Sequence, residues 1–369
     1  MSVDPQSPRY ARQRVLPGFG SDAQGRLADA HVLVIGAGGL GCTVLPALAG
    51  AGIGRITVVD DDEVDETNLH RQTLYAPGDA GRPKAEAAAD ALRRLSPDTE
   101  VTPRTERFAA GGTFDLLLDV DLLVDASDDP GTRYLANDAA AIRGIPLVWG
   151  SALAYDGQVG VAWDEKGVDY RDLFPESPGS GSPDAAPADC ATAGILPSVC
   201  AVIGGMMASE VLKLLGGVGE PLLGRAAAYD ARSGRIREIA YRRDPAAARP
   251  GSIEERTSAP AERPGRNIGP RDLAAELQGE HPPRLLDVRE PWEAAQAMLP
   301  GAELIPLNDL AAHLDEIDRD APLVVYCHHG VRSARALEIL EKAGVANARH
   351  LTGGIDAWSA KVDPSIPRY

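Results

Sequence analysis

What this sequence has little of narrows it first. Four cysteines, Cys42, Cys190, Cys200 and Cys327, are spread over 369 residues with no close pair. That argues against a disulfide framework, and a reducing, cytoplasmic setting is expected. The apolar runs are short and broken by glycine, aspartate or proline, so none is expected to reach the roughly 20 residues of a membrane helix. The opening MSVDPQSPRYARQR puts no apolar stretch behind its charges, so no signal peptide is expected. Positive charge is scarce too: 37 lysines and arginines face 54 aspartates and glutamates, a net of -17. An acidic surface repels phosphodiester backbones and anionic lipid heads, so no broad binding to nucleic acid or membrane is expected. A local cationic pocket for a nucleotide remains open. The excess acid reads as solvated surface, with a partner bearing a basic face as the other account.

What is present is a globular composition, 44% apolar and 25% charged, at a length that suits two domains. HVLVIGAGGLG reads as a buried strand ending in a glycine turn, then a helix to about Ala51 that Pro46 should kink or shift. RITVVD, DLLVDASD, PLVWGSAL and GQVGVAW continue the strands, with helical stretches such as KAEAAADALRRL between the earlier ones. Alternating strand and helix predicts an α/β fold with a Rossmann-like, doubly wound, largely parallel sheet. Residues 175–189 predict a mobile loop, and the proline-rich, charged residues 244–266 an extended linker. Beyond it RDLAAELQG, RLLDVR, AELIPL, LVVYC and SARALEILEKAG predict a second, small α/β domain. The expected division is 1–243, linker 244–266, and 267–369.

Gly36, Gly38 and Gly41 form G-x-G-x-x-G between a strand and a helix, and Asp60 ends the next strand. Such glycines let backbone approach phosphate at a helix N-terminus, while the carboxylate holds ribose hydroxyls. Alone, the pattern suits a nicotinamide dehydrogenase. The residues beyond Asp60 favour a triphosphate: Asn68 and Arg71 lie just past the second strand, and Lys84 starts the next helix. Fixed cations there would stabilise charge on the α-phosphate and the leaving pyrophosphate. Asp128, at the C-terminal edge of a strand, is placed to hold magnesium. A blander account makes Arg71 and Lys84 surface charges and Asp128 a helix cap.

Taken together, RYARQ, GAGGLG, the DDDEVDETNLHRQ run, GRPK and the ASDD stretch resemble the MoeB/ThiF adenylyltransferases, relatives of ubiquitin-activating enzymes. The resemblance covers roughly residues 8–243. It implies ATP-dependent adenylation of the C-terminal glycine of a small ubiquitin-like sulfur carrier, MoaD/ThiS-like, with a Gly-Gly tail. It carries the ATP site onto Gly39, Asp60, Thr67, Asn68, Leu69, His70, Arg71, Lys84, Asp128 and Asp129, with ATP and Mg2+ as cofactors. Arg12, in RYARQ, matches an arginine supplied by the neighbouring subunit, which implies a homodimer. Cys190 matches a position that can take the activated acyl group as a thioester or acyl disulfide. A carboxylate with an ordinary pKa of about 3.5 is already an ionised nucleophile, so positioning suffices without a Ser-His-Asp constellation.

Two departures stand out. Many members bind zinc through two C-x-x-C pairs; here DYRDL puts Asp169 and Asp172 at the first, and RRDPAAARPG lacks the second. No structural zinc is expected, because two aspartates do not replace four thiolates. Asp129 stands where the family commonly has asparagine, and is expected to alter metal binding or affinity. Cys42 and Cys200 are expected to be small core residues.

In the second domain CHHGVRS follows the strand LVVY and precedes a helix. Backbone N–H groups of such a loop converge on the sulfur, the helix N-terminus favours its anion, and Arg332 adds positive charge. Cys327 is therefore expected to be a thiolate that carries sulfur as a persulfide, in a loop of His328, His329, Gly330, Val331 and Arg332. With DVREPWE before it and GGIDAW after it, this segment resembles the rhodanese family over about residues 267–361. Phosphatase loops place five residues between cysteine and arginine; the four here suit one sulfur atom better than a phosphate. The two resemblances together imply a bifunctional enzyme. An upstream persulfide or thiosulfate would load Cys327, whose sulfur would convert the adenylated carboxylate to a thiocarboxylate, as in molybdenum cofactor biosynthesis and other pathways. Two alternatives stand beside this. One is an activating enzyme for protein conjugation, marked by capture of the carrier on a target lysine. The other is a nicotinamide oxidoreductase with a regulatory rhodanese module, which pyrophosphate release would exclude.

Overall fold

The runs HVLVI and RITVV form β1 (His31–Ile35) and β2 (Arg55–Val59), paired in parallel. Past their first residues they are apolar at every position but Thr57, as a strand covered on both faces requires. The structure, a computed structural model, describes residues 2–109, 112–175, 194–247, 249, 251, 266–279, 282–319, 321–328, 330–345 and 347–367. The chain divides into two compact units, Met1–Ala259 and Pro260–Tyr369.

In the first unit β3 (Glu100–Arg104), β4 (Leu122–Asp125) and β5 (Leu147–Leu153) complete a parallel sheet ordered β3-β2-β1-β4-β5. Val32 and Val34 pack into one core and Leu33 and Ile35 into another, so β1 is buried on both faces. The helices used below are α1 (Gly20–Asp29), α2 (Gly41–Ala51), α3 (Lys84–Leu95), α4 (Pro130–Arg143) and α5 (Pro197–Gly216). The strand order reverses between β1 and β4, and in open α/β sheets the crevice beyond the carboxyl ends of such strands receives ligands.

GQVGVAW does not continue the parallel series. It forms β6 (Asp156–Ala162), antiparallel to β5, and β7 (Arg225–Asp230) and β8 (Arg235–Ala240) extend that antiparallel edge. Only Ala154 and Tyr155 separate β5 from β6, and a parallel crossover needs a dozen residues or more. α2 starts at Gly41 and runs through Pro46, so the proline does not shift its start.

The expectation of uniformly short apolar runs also fails at one place. α5 has 20 residues and is long and apolar enough, by length and composition, to cross a membrane. In the structure Val199, Ile203, Met207 and Val211 are buried in the core of the first unit. Its Glu210 accepts the Leu222 N–H at 2.9 Å and pairs with Lys213.

The second unit is a five-stranded parallel sheet: β9 (Asn267–Ile268), β10 (Arg284–Asp287), β11 (Ala302–Leu304), β12 (Leu323–Tyr326) and β13 (Ala348–Leu351), ordered β11-β10-β12-β13-β9. Helices α6 (Pro270–Leu277), α7 (Val331–Lys342) and α8 (Gly354–Lys361) accompany it. β12 is central, with Val324 and Tyr326 in one core and Val325 and Cys327 in the other. Apart from Pro175, the stretch expected to be a mobile loop lies outside the described residues, and so does Cys190.

Two candidate active sites

The first lies where β1 and β4 part. Gly36 has φ +88°, and a Cβ on it would stand 2.9 Å from the Ala126 carbonyl carbon. A Cβ on Gly41 would stand 2.1 Å from the Gly36 oxygen, and one on Gly39 2.7 Å from Cys200 Sγ. These three glycines are demanded by the protein's own packing. Gly38 is not: its nearest neighbour to a Cβ would be Gln72 Nε2 at 3.8 Å. Its missing side chain instead leaves backbone open to approach by a pyrophosphate.

Asp60 ends β2 and anchors this turn. Its Oδ2 accepts the Ala37 N–H at 2.7 Å and its Oδ1 the Asp62 N–H at 2.9 Å. Burial raises its pKa, against the pull of Lys84. Lys84 is the first residue of α3 and is buried, with Nζ 2.7 Å from Asp62 Oδ2. Burial weakens its hold on the proton, but Asp60, Asp62 and Asp128 outweigh that and keep its pKa above the ordinary lysine value. A buried ammonium at the positive end of a helix is costly unless anions surround it. Lys84 is thus no surface charge.

Arg71 donates to Asn68 Oδ1 at 2.6 Å, and its stem packs where a Gly39 side chain would stand. Asn68 ends a short turn, Glu66–Asn68, capped by Asp65, which accepts the Thr67 N–H at 2.7 Å. The exposed His70 ring closes onto the Thr67 carbonyl at 2.9 Å, while Leu69 packs against the core.

At the end of β4 the two adjacent aspartates divide their work. Asp129 caps α4, accepting the Thr132 N–H at 2.8 Å and its hydroxyl at 2.7 Å. Asp128 is exposed and makes no hydrogen bond or ion pair among the described residues. The cap foreseen for Asp128 therefore falls to its neighbour. Arg12 is likewise exposed and without such a partner among the described residues, while Gln13 beside it anchors the segment to Gln24 and the Ala51 carbonyl. Cys42 is buried, its thiol pushed up to about 12 by burial. Cys200 is buried as well, against Gly39 and so beneath Arg71.

The second site is the loop after β12. Cys327 is buried, and the Gly330 N–H donates to its Sγ at 3.1 Å. Gly330 has φ +104°, the left-handed conformation that points this N–H inward. The Ser333 hydroxyl lies 3.7 Å from the same sulfur and 3.0 Å from the Gly330 carbonyl, within reach of either as a donor. The start of α8 holds the loop from behind: Ile355 N–H donates to the Cys327 carbonyl at 2.9 Å. A Cβ on Gly354 would stand 2.1 Å from the His328 oxygen. Val331 begins α7, and His329 lies outside the described residues.

Arg332 does not simply add charge beside the sulfur. It forks onto Glu293, Nη1 to Oε2 at 2.6 Å and Nη2 to Oε1 at 2.7 Å, so the two form a neutral buried pair. Burial pushes the Glu293 pKa up, but the Arg332 fork, the Glu290 N–H and Arg289 prevail and hold it below the ordinary value. Neither Glu293 nor Ser333 was singled out from the sequence, although both sit inside DVREPWE and CHHGVRS. The signal available was the arginine itself, since a buried guanidinium requires a carboxylate.

Residues 10–248 match the ThiF family, and residues 270–361 match the rhodanese-like domain. The chain is 40% identical to the probable adenylyltransferase/sulfurtransferase MoeZ of Mycobacterium tuberculosis, across 98% of this chain and 95% of that protein. It is 34% identical to the adenylyltransferase and sulfurtransferase MOCS3-1 of Zea mays, across 98% and 83%. A sulfur carrier protein adenylyltransferase of Thermus thermophilus is 45% identical, across 64% of this chain and 88% of its own length. Among solved structures, MccB of E. coli shares the fold, with a TM-score of 0.57 at 21% identity over 66% of this chain and 74% of that one.

Proposed function

This chain belongs to the ThiF family and joins an ATP-using adenylyltransferase to a rhodanese-like sulfurtransferase domain, and we propose that both activities act in turn on one sulfur-carrier protein. The substrate group is the carrier's C-terminal glycine carboxylate. Its oxygen attacks the α-phosphate of ATP, giving the acyl-adenylate and pyrophosphate. The observation that carries this reading is the buried, charged Lys84 beside a glycine turn whose Gly38 is open to phosphate. Lys84 and Arg71 neutralise the phosphates, Asp60 takes the ribose hydroxyls, and Arg12 reaches the site of a second copy in a homodimer. Asp128 would hold a magnesium ion, which would supply positive charge to offset that on the leaving pyrophosphate.

Cys327 carries the sulfur. Its thiolate, beside the Gly330 N–H and the Ser333 hydroxyl, attacks the sulfane sulfur of an upstream persulfide or of thiosulfate and releases the donor as thiolate or sulfite. The terminal sulfur then attacks the adenylated carbonyl and releases AMP. Attack of a second thiol, for which Cys190 is the candidate, on the Cys327 sulfur of the resulting acyl disulfide releases the carrier thiocarboxylate and leaves a Cys327–Cys190 disulfide, which a dithiol reductant of the cell reduces before the next turn. A reducing cytoplasm suits this cycle. Mass spectrometry of a candidate carrier incubated with ATP, a sulfur donor and the protein tests it. One carrier oxygen should be exchanged for sulfur, and Cys327→Ala should stop that exchange while pyrophosphate release continues. Thiocarboxylate formation by Cys327→Ala at the wild-type rate would refute the assignment.

A further inference from the structure

The resemblance places a zinc ion near Asp169 and Asp172, and the residues present do not fit one. Zinc takes thiolates or imidazoles in closed structural sites. Here the two side chains are carboxylates, almost wholly buried and already bonded. They first cap a short helix, Tyr170–Leu173, on each other's N–H groups: Asp172 Oδ2 accepts from Asp169 at 2.7 Å, and Asp169 Oδ1 from Asp172 at 3.2 Å. Their remaining oxygens face a guanidinium. Arg249 Nε donates to Asp169 Oδ2 at 2.9 Å, and its Nη2 donates to Asp172 Oδ1.

We infer that Arg249 is a clamp that closes the C-terminal end of the adenylating unit in place of a metal. Every nitrogen of its head is used, because Nη1 donates to the carbonyls of Asp244 and Ala247 at 3.0 and 2.9 Å. The Asp244 N–H also donates to Asp172 Oδ1, at 2.8 Å. Arg243 completes the charge balance. It donates to the Asp164 side chain and backbone at 2.5 and 3.0 Å and lies 3.8 Å from Asp169. Two buried carboxylates would be prohibitive without such partners, and a cation entering among two arginines would be repelled. The planar fork does by hydrogen bonding what a metal does by coordination.

The clamp joins the chain after β6, the short helix, and the chain after β8, which are some 80 residues apart in sequence. From Phe174 the chain leaves toward residues 176–193, which include Cys190, and from Arg249 it leaves toward the second unit. One fastening thus fixes the roots of both stretches. The paired register of Ala162 with Leu147 puts the clamp near the start of β5, at the end of the parallel strands opposite the one that Asp128 follows. Its loss should therefore loosen the fold first at that end of the sheet.

The test uses the full chain, expressed with zinc in the medium. Wild type should purify without stoichiometric zinc and melt at the same temperature with and without a chelator. Arg249→Met should melt about 5–10 °C lower and gain a proteolytic cut between residues 242 and 251. Arg249→Lys should fall between the two, since one ammonium cannot fork. If Arg249→Met does not fold, Arg249→Lys and Arg243→Met supply the graded series. Stoichiometric zinc whose removal lowers the melting temperature would overturn the inference. So would Arg249→Met or Arg249→Lys melting and resisting protease like wild type. None of these readouts depends on the enzyme's activity.

Discussion

Replacing each glycine of the nucleotide turn by alanine separates glycines kept for the fold from the one kept for a ligand. At Gly36 the φ of +88° costs an alanine about 1–2 kcal/mol, and its Cβ would also press on the Ala126 backbone at 2.9 Å. At Gly41 the Cβ would sit 2.1 Å from a carbonyl oxygen, so α2 must shift, at about 1–3 kcal/mol. A unit of this size loses about 2–4 °C of melting temperature per kcal/mol. Gly36→Ala and Gly41→Ala should therefore each melt several degrees lower. Gly38→Ala has room, with its nearest contact at 3.8 Å and no left-handed φ. Its reduced freedom in the unfolded chain should leave stability equal or up to about 1 kcal/mol higher. The methyl would nevertheless stand between backbone N–H groups and phosphate. Losing one hydrogen bond to a charged group costs about 1.5–3 kcal/mol, or roughly 10- to 100-fold in rate. Thermal melting and ATP–pyrophosphate exchange with a carrier read the two effects separately. Gly38→Ala with wild-type exchange would refute the phosphate role, and a large loss of stability would refute the packing account.

Three further outcomes are expected. Arg12→Ala and Lys84→Met should each lose about 100-fold or more of pyrophosphate exchange, and mixing the two should restore part of it, because a mixed dimer holds one intact site. No recovery after subunit exchange would place Arg12 in its own chain's chemistry. Ser333→Ala should slow persulfide formation on Cys327 about tenfold while leaving pyrophosphate exchange unchanged, as thiosulfate sulfurtransferase kinetics would show. Glu293 is held below its ordinary pKa, so its stabilising effect is full above about pH 4.3 and is lost as pH falls through its lower folded value. The gap in melting temperature between wild type and Glu293→Gln should then close in acid; a gap constant from neutrality into that range would refute the pairing.

Much of this was legible because it is local. The glycine turn, Asp60, Lys84 and the cysteine loop lie within single strand–turn–helix units, whose spacing alone places them at sheet ends. The direction of β6 was legible too, since two residues cannot span a parallel crossover, but reading the strands as one alternating series hid it. The division of labour between Asp128 and Asp129 was not. Neighbouring aspartates look alike in sequence, and only the start of α4 decides which carboxylate is spent on the Thr132 N–H. Arg249 was further out of reach, because its partners lie some 80 residues away and nothing in RRDPAAARPG points to them.

The two sites also differ in how they meet negative charge, and this sharpens the four-residue spacing between Cys327 and Arg332. In the nucleotide crevice Lys84 is paired with Asp62, but the Arg71 guanidinium is bonded to the neutral Asn68 amide and has no carboxylate partner among the described residues, which leaves its charge for a triphosphate. In the Cys327 loop Arg332 is matched by Glu293, and the sulfur faces a backbone N–H at 3.1 Å and a hydroxyl. Dipoles of that kind suffice for a single negative charge on one sulfur atom, whereas a bound phosphate dianion would draw on a guanidinium not already neutralised. The short loop limits size and the Glu293 pair limits charge, and a persulfide meets both limits. Glu293→Gln should therefore raise the affinity of the loop for sulfate or phosphate as it lowers its sulfur-transfer rate. An oxyanion affinity unchanged in that variant, measured by competition against thiosulfate, would show that size alone decides.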